Sequence, residues 1–168
     1  MLLKYIYTFF IGVLTATFIG VGISAFYEGP KTPEFPIEES IPYKYETEPA
    51  SQSAEELRTM REQNIRQDKA FREYQVNNRI YNRNVSVITS IAAVILLVIS
   101  LTLLKKLDLL SDGLLLGGLF TQLYSIVRGF ESQDSMFRFL VVTVGLITSL
   151  TVGYFKFIHS KRNQVSAG

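Results

Sequence analysis

The chain has 168 residues, of which 48% are hydrophobic, and its formal net charge at neutral pH is +2. So small a net charge gives no support for nucleic-acid binding, which needs a strongly basic surface. The sequence contains no cysteine, and this absence excludes disulfides, thiolate metal sites and cysteine nucleophiles. We therefore expect no nucleic-acid partner, no metal and no other cofactor.

The hydrophobic residues are gathered in four blocks instead of recurring at the period of a soluble amphipathic helix or strand. The blocks cover 5–27, 85–104, 113–127 and 137–158. The first two contain no Asp, Glu, Lys, Arg or His, and about 20 such residues form a helix that crosses ~30 Å of hydrocarbon. The sequence predicts an all-α membrane protein with four transmembrane helices. A long helix outside the membrane is predicted to continue into the second transmembrane helix.

The first span is predicted over 1–27 as an uncleaved anchor. Its apolar stretch of about 22 residues exceeds the core of a signal peptide, which has about 7–15. Tyr and Phe residues lie at both of its ends, as they do at membrane interfaces. A cleavable signal peptide with its site near Ala25 is the alternative.

A linker and a long helix are predicted between the first two spans. All five prolines of the chain and six glutamates lie in 28–52, a composition that favours an extended linker. Ser53-Ala54-Glu55-Glu56 then matches a capping box, and neither proline nor glycine follows until after Asn84. We expect an amphipathic, coiled-coil-like helix over 53–84 that runs unbroken into the second span, 85–104.

The helix outside the membrane has a heptad-like seam of uncharged residues, spaced alternately by three and four. The seam comprises Leu57, Met60, Asn64, Gln67, Phe71, Tyr74, Asn78 and Tyr81, and the same spacing reaches Val85. Polar seam residues weaken a coiled coil but specify its register and partner. The pattern predicts that the 54–84 helix pairs with another copy of the chain or with another membrane protein. A lone helix lying on the linker or on the membrane surface is the alternative.

The remaining elements follow closely along the chain. A turn is predicted over 105–111, the third span over 112–130, a short loop over 131–136, the fourth span over 137–158 and a polar tail over 159–168. The third span is unusual because its uncharged stretch, between Asp112 and Arg128, is shorter than the ~20 residues expected. A re-entrant hairpin is therefore the alternative there.

The positive-inside rule predicts the orientation of the four spans. Both termini and the 105–111 turn share one side, where the basic residues are Lys4, Lys105, Lys106, Lys156, Lys161 and Arg162. That side is predicted to be cytoplasmic, and the linker and its helix extracytoplasmic. The arginines just before the second span, Arg72, Arg79 and Arg83, conflict with this orientation. The stretches 20–27 and 81–86 resemble segments of small prokaryotic membrane proteins, and the resemblance implies the plasma (inner) membrane of a prokaryote.

Three predicted spans carry small residues at every fourth position, so that these residues share one helix face. The three sets are Gly12, Ala16, Gly20 and Ser24; Gly113, Gly117, Thr121, Ser125 and Gly129; and Gly145, Ser149 and Gly153. Small residues let helix backbones approach closely, and in lipid it is packing and hydrogen bonds that hold helices together. These faces are predicted to pack against other helices.

The sequence offers little for catalysis. His159 is the only histidine, and no nucleotide-binding or hydrolase motif is present. Gln122 is predicted near the middle of the third span. Its side chain either forms a hydrogen bond to another helix or lines a pathway for ions or solutes. We therefore expect a non-enzymatic structural or scaffold subunit that associates through its small-residue faces, its outer helix and the lipid bilayer. The alternative is a homo-oligomeric channel or transporter component, whose pathway would be lined by Thr121, Gln122 and Ser125.

Overall fold

The computed structural model describes residues 2–33, 54–102 and 107–159. They form four α-helices, α1 (Leu2–Phe26), α2 (Ala54–Thr102), α3 (Asp108–Glu131) and α4 (Ser135–Gly153), and a π-helical turn, Tyr154–His159, continues α4. No strand occurs in these ranges, and the predicted all-α class with four helices is confirmed. All four helices are long and apolar enough to cross a membrane, which fits a multi-pass membrane protein.

Helix α2 is a single element of 49 residues. At ~1.5 Å per residue it is roughly 73 Å long, whereas a span needs only about 20 residues. Its charged residues all precede Val85, and the described remainder contains none. The helix therefore joins an apolar span to a charged extension without a break, as predicted. The capping residue Ser53 and most of the 28–52 linker lie outside the described residues.

Contacts divide the chain into two compact units, Met1–Gly29 with Arg79–Gly168, and Pro30–Asn78. In the first unit, α3 packs against the other three helices. Its contacts with α1 and α4 are extensive, and four hydrogen bonds between serine side chains and backbone carbonyls join it to α2. Helix α3 is therefore the central element of this unit.

Side-chain contacts show that the helices of the first unit alternate in direction. Tyr27, directly after α1, stacks on Tyr81 of α2. One residue further along α2, Asn82 accepts a hydrogen bond from Arg128 near the end of α3. The C-terminal ends of α1 and α3 thus lie beside the same part of α2, which runs the opposite way.

A three-residue connection turns the chain from α3 into α4. Gln133 has a positive φ of 58°, the left-handed conformation that reverses a chain in few residues. The carboxylate of Asp134 then caps α4 by accepting hydrogen bonds from the backbone N–H groups of Met136 and Phe137, at 3.0 and 3.2 Å. Helix α4 returns antiparallel to α3.

The observed bounds differ by a few residues from those expected. Helix α3 begins at Asp108, four residues before the predicted start, and is continuous over 24 residues where a re-entrant hairpin was the alternative. Asp112 lies inside the helix and accepts a hydrogen bond of 2.6 Å from Lys156 Nζ. The carboxylate of Asp112 thus has a cationic partner in the π-helical turn that continues α4. Most of the predicted 105–111 turn is described as part of α3; residues 105 and 106, and the tail from 160 to 168, lie outside the described residues.

Candidate functional site: the packing core around α3

Glycines of α3 bring its backbone against α1. A Cβ atom added at Gly113 would lie 2.7 Å from Ile11 Cγ2, and one added at Gly117 would lie 2.8 Å from Thr15 Cβ. The Gly117 position is also 3.3 Å from the backbone oxygen of Gly12. Real Cβ atoms do not approach so closely, so both α3 positions require glycine for this packing. Gly12, Gly113 and Gly117, from two of the predicted stripes, lie together in one interface.

The other residues of the predicted stripes have varied surroundings. In α1, Ala16 is half-buried, Ser24 is exposed, and nothing lies within 4 Å of a Cβ at Gly20. In α4, a Cβ at Gly145 would lie 2.8 Å from Ile126 Cδ1 of α3, whereas Ser149 is exposed and Gly153 has open space around it. Each stripe therefore contributes to helix contacts over only part of its length.

Two reciprocal serine pairs join α2 and α3. Ser86 Oγ donates to the backbone oxygen of Ser125 at 2.8 Å, and Ser125 Oγ donates to that of Ser86 at 2.7 Å. Ser100 and Ser111 form the same arrangement, at 2.7 and 3.0 Å. All four residues are buried. Each hydroxyl thus donates a hydrogen bond to a backbone carbonyl of the facing helix. Such short side chains reach the other backbone only where the two helices are close.

Ala93 and Gly118 lie midway between the two serine pairs. A Cβ at Gly118 would lie 2.7 Å from Leu97 Cδ2 and 3.4 Å from the backbone oxygen of Ala93. Small residues thus recur at every seventh position in both helices: Ser86, Ala93 and Ser100 in α2, and Ser111, Gly118 and Ser125 in α3. A seven-residue repeat is the period of helices that wind around each other.

The predicted stripes did not include this α2–α3 contact, because their small residues are four apart and those of the contact are seven apart. Of its α3 residues, only Ser125 belonged to the predicted stripe. The available signal was the seven-residue spacing of small residues in two successive predicted spans, joined by a turn short enough to make them antiparallel neighbours.

Gln122 lies where α2, α3 and α4 meet, and its side chain is only 2% exposed. Its Oε1 accepts a hydrogen bond of 3.3 Å from Ser90 Oγ of α2. Its Nε2 has no hydrogen-bond partner among the described residues. On the α4 side, the Cβ position of Gly145 is 3.5 Å from this nitrogen. Gln122 therefore joins α3 to α2, and both N–H donors of its amide nitrogen lack a partner among the described residues.

Thr121 and Ser125, the other two residues predicted to line a pathway, are also buried inside the chain's own packing. Thr121 Oγ1 donates to Gly117 O of its own helix at 2.7 Å, and Ser125 belongs to the pair with Ser86. Gly129, the last residue of the stripe, lies close to both Ser86 and Val141. This part of α3 faces the helices of the same chain.

The guanidinium group of Arg128, near the end of α3, lies in a cluster of polar side chains. Arg128 donates to Tyr124 Oη at 2.9 Å, to Asn82 Oδ1 at 3.0 Å and to Glu131 Oε2 at 3.1 Å. The guanidinium carbon also lies 5.5 Å from the centre of the Tyr124 ring. These contacts satisfy a cation at the end of an apolar helix, where its long side chain can reach polar partners.

Tyr27, directly after α1, packs against Tyr81 of α2. Their rings are nearly parallel, with centroids 5.2 Å apart, and Tyr81 Oη donates to Tyr27 O at 3.2 Å. Asn84 Nδ2 donates to Tyr27 Oη at 2.9 Å. Val85 is fully buried. The last positions of the predicted seam, Tyr81 and Val85, are thus engaged in contacts of the first unit.

In the second unit, the remaining seam residues differ in exposure. Met60, Gln67, Tyr74 and Asn78 are half-buried, whereas Asn64 and Phe71 are exposed. Leu57 lies outside the part of the chain whose side chains are described.

Within the described residues, no group of three His, Cys, Asp or Glu side chains could hold a metal ion. The side chain of His159 lies outside those described. Comparisons with family models, with curated proteins and with solved structures return no match.

Proposed function

We propose that this multi-pass membrane protein is a non-enzymatic scaffold subunit, which holds a rigid helical extension outside the bilayer for pairing with another protein chain. The observation that carries the proposal is the continuity of α2, a single 49-residue helix with an apolar second half and a charged first half. A helix that crosses the membrane and continues for many turns outside it can hold a bound partner at a fixed distance from the bilayer.

The packing of the first unit supports an anchoring role. Close contacts at Gly113 and Gly117, and the serine pairs between α2 and α3, join helices of the same chain. Such contacts stabilise a bundle in lipid, where no hydrophobic effect drives helices together. The small-residue face of α3 is occupied in this way, so we assign partner binding to the extension of α2.

The exposed part of the seam supports a pairing surface on that extension. Asn64 and Phe71 are one heptad apart on one face of α2, and Phe71 is 49% exposed. An exposed aromatic residue in line with an asparagine suits a helical partner whose register the asparagine specifies. The partner is a second copy of the chain or another membrane protein.

Single cysteines in the naturally cysteine-free chain test the pairing. We expect Asn64→Cys to give a disulfide-linked product after mild oxidation of cells, detected on a non-reducing gel. Ile65→Cys is the matched control, because Ile65 is also exposed but points to another side of the helix. Equal product from both variants would contradict the proposal. No product from either while a maleimide labels both would exclude a second copy as the partner and leave another membrane protein.

A channel is the second candidate function. The observation that favours it is the amide nitrogen of Gln122, which is buried and has no hydrogen-bond partner among the described residues. The burial of Thr121, Gln122 and Ser125 inside one chain supports the scaffold instead. Flux through reconstituted vesicles distinguishes the two functions. Ion or solute flux that is lost in Gln122→Leu would favour a pathway along α3, whereas we expect no flux from the unmodified protein.

A further inference from the structure

We propose that the interior of the first unit contains a binding site for a single water molecule, which Gln122 of α3 holds against α4. The water accepts a hydrogen bond from the side-chain amide of Gln122. This inference does not depend on the proposed function, because it concerns only the interior of the helix bundle and not the extension of α2.

The amide nitrogen of Gln122 requires a partner. It carries two N–H donors, and neither has an acceptor among the described residues. The residue is only 2% exposed, so neither bulk solvent nor a lipid headgroup reaches it in the folded bundle. Buried polar groups of proteins are nearly always hydrogen-bonded, either to the protein or to an ordered water molecule. An unpaired donor is especially unfavourable inside a membrane, because hydrocarbon offers no acceptor.

Gly145 of α4 gives the acceptor its place. A Cβ atom at Gly145 would lie 3.5 Å from Gln122 Nε2, so a glycine leaves α4 without a side chain beside this nitrogen. The terminal methyl group of Ile126 lies 2.8 Å from the same Cβ position. That methyl group ends a flexible side chain and can move aside for a small molecule.

Thr148 of α4 is the second partner of the water. Buried waters make about three hydrogen bonds, so Gln122 alone does not hold one. Thr148 is half-buried and lies three residues after Gly145, on the same face of α4. Its hydroxyl donates to Val144 O at 2.7 Å, which leaves the hydroxyl oxygen able to accept. A water that accepts from Gln122 can then donate to Thr148 Oγ1.

Polar contacts lead from the end of α3 to this site. They form three successive layers between α2 and α3: Arg128 with Asn82, Ser125 with Ser86, and Gln122 with Ser90. The side chain of Arg128 is 29% exposed, so the first layer is open to the surroundings of the bundle. Gln122 is six residues from it, or ~9 Å along the helix axis. A water molecule that enters at that end meets polar groups on its way to Gln122.

The surroundings of the site favour a neutral ligand. The nearest charged residues along α3 are Asp112 and Arg128, and α4 has none between Arg138 and Lys156. The described apolar half of α2 has none either. An ion buried without an opposite charge costs far more free energy than a neutral polar molecule. Water is neutral and small, and it can accept from one side chain while it donates to another.

Nuclear Overhauser measurements on the isotopically labelled, full-length chain in lipid nanodiscs test the site. We expect the side-chain amide protons of Gln122 to give a cross peak to water and none to lipid acyl chains. Gln122→Met identifies these amide signals by their loss. Gly145→Ala should abolish the cross peak, because the added methyl group would take the place of the water. Gly153→Ala is the matched control and should keep it, because nothing lies within 4 Å of that Cβ position.

Ser90→Ala separates a bound water from the Ser90 hydroxyl, whose proton exchanges with solvent and gives the same signal. The cross peak should persist in Ser90→Ala and weaken several-fold in Thr148→Val. Its absence from the unmodified protein, its loss in Ser90→Ala or its persistence in Gly145→Ala would overturn the proposal. A cross peak from this amide to lipid acyl chains would overturn it as well. An unchanged cross peak in Thr148→Val would overturn the assignment of the second partner.

Discussion

Gly118 and Gly20 show how differently two glycines are placed in helices of similar composition. Gly118 is buried, and its missing side chain leaves room for Leu97 and for the backbone at Ala93. Gly20 has no atom within 4 Å of its Cβ position. The first glycine is required by close packing of α3 against α2, whereas the second has no packing requirement within the described residues.

We therefore expect Gly118→Ala to lower the free energy of unfolding by about 1–3 kcal/mol, since overpacking a well-filled interior costs roughly that much. The added methyl group would meet Leu97, which is buried and has little freedom to move. Gly20→Ala is the matched control and should not destabilise the protein. Thermal unfolding in detergent measures both variants, and an equal loss in the two would contradict the assignment.

At the scale of elements, the α2–α3 contact combines close approach with hydrogen bonding. The two serine pairs are 14 residues apart on each helix, so both pairs lie on one seam of a seven-residue repeat. Ala93 and Gly118 keep the helices close between them. The hydroxyl groups satisfy backbone carbonyls across the interface at positions where a larger residue would separate the helices.

A double-mutant cycle on Ser100 and Ser111 tests this interpretation. Each single change to alanine should cost about 0.6 kcal/mol, a typical value for hydrogen bonds between membrane helices. The two losses should be close to additive, because each hydroxyl donates to a backbone oxygen that the other change leaves in place. Thr102→Ala is the control, because the Thr102 hydroxyl is exposed and donates only to Val98 O of its own helix, at 2.6 Å. Unfolding in detergent would measure all four variants. A loss in only one of the two single variants, or an equal loss at Thr102, would argue against a reciprocal pair.

At the scale of the whole molecule, the alternating directions of the helices place successive connections on opposite sides of the bundle. Gln133 lies in the connection between α3 and α4, and Leu107 directly precedes α3. The contact of Tyr27 with Tyr81 and the pair of Lys156 with Asp112 lie at opposite ends of α3. In a bilayer, the two connections should therefore face different compartments.

We expect a membrane-impermeant maleimide to label Gln133→Cys but not Leu107→Cys in intact cells, and both after permeabilisation. Gln133 and Leu107 are both exposed, so access to the compartment and not burial should decide the result. Labelling of Leu107→Cys alone would keep the alternation but reverse the orientation that the positive-inside rule predicts. Equal labelling of the two in intact cells would contradict the alternation itself.

Much of the fold could be predicted because the signals are local. A run of apolar residues without charge is itself the reason that a helix enters lipid, and the absence of proline and glycine up to Asn84 allows α2 to continue. The partner of Asp112 was harder to predict, because Lys156 is 44 residues away in the chain. No window around Asp112 contains that information.

The sequence by itself determined the number of helices and the continuity of α2, since these depend on each segment's own composition. Only the tertiary structure decided which small residues are used: Gly113 and Gly117 against α1, Gly118 with the serine pairs against α2, and neither Gly20 nor Gly153 against any described residue. It also placed Gln122 between three helices, with an amide nitrogen that has no hydrogen-bond partner among the described residues. The physical reason is that a small residue permits close approach from any neighbour. Which neighbour approaches depends on the joint packing of helices that are distant in the chain.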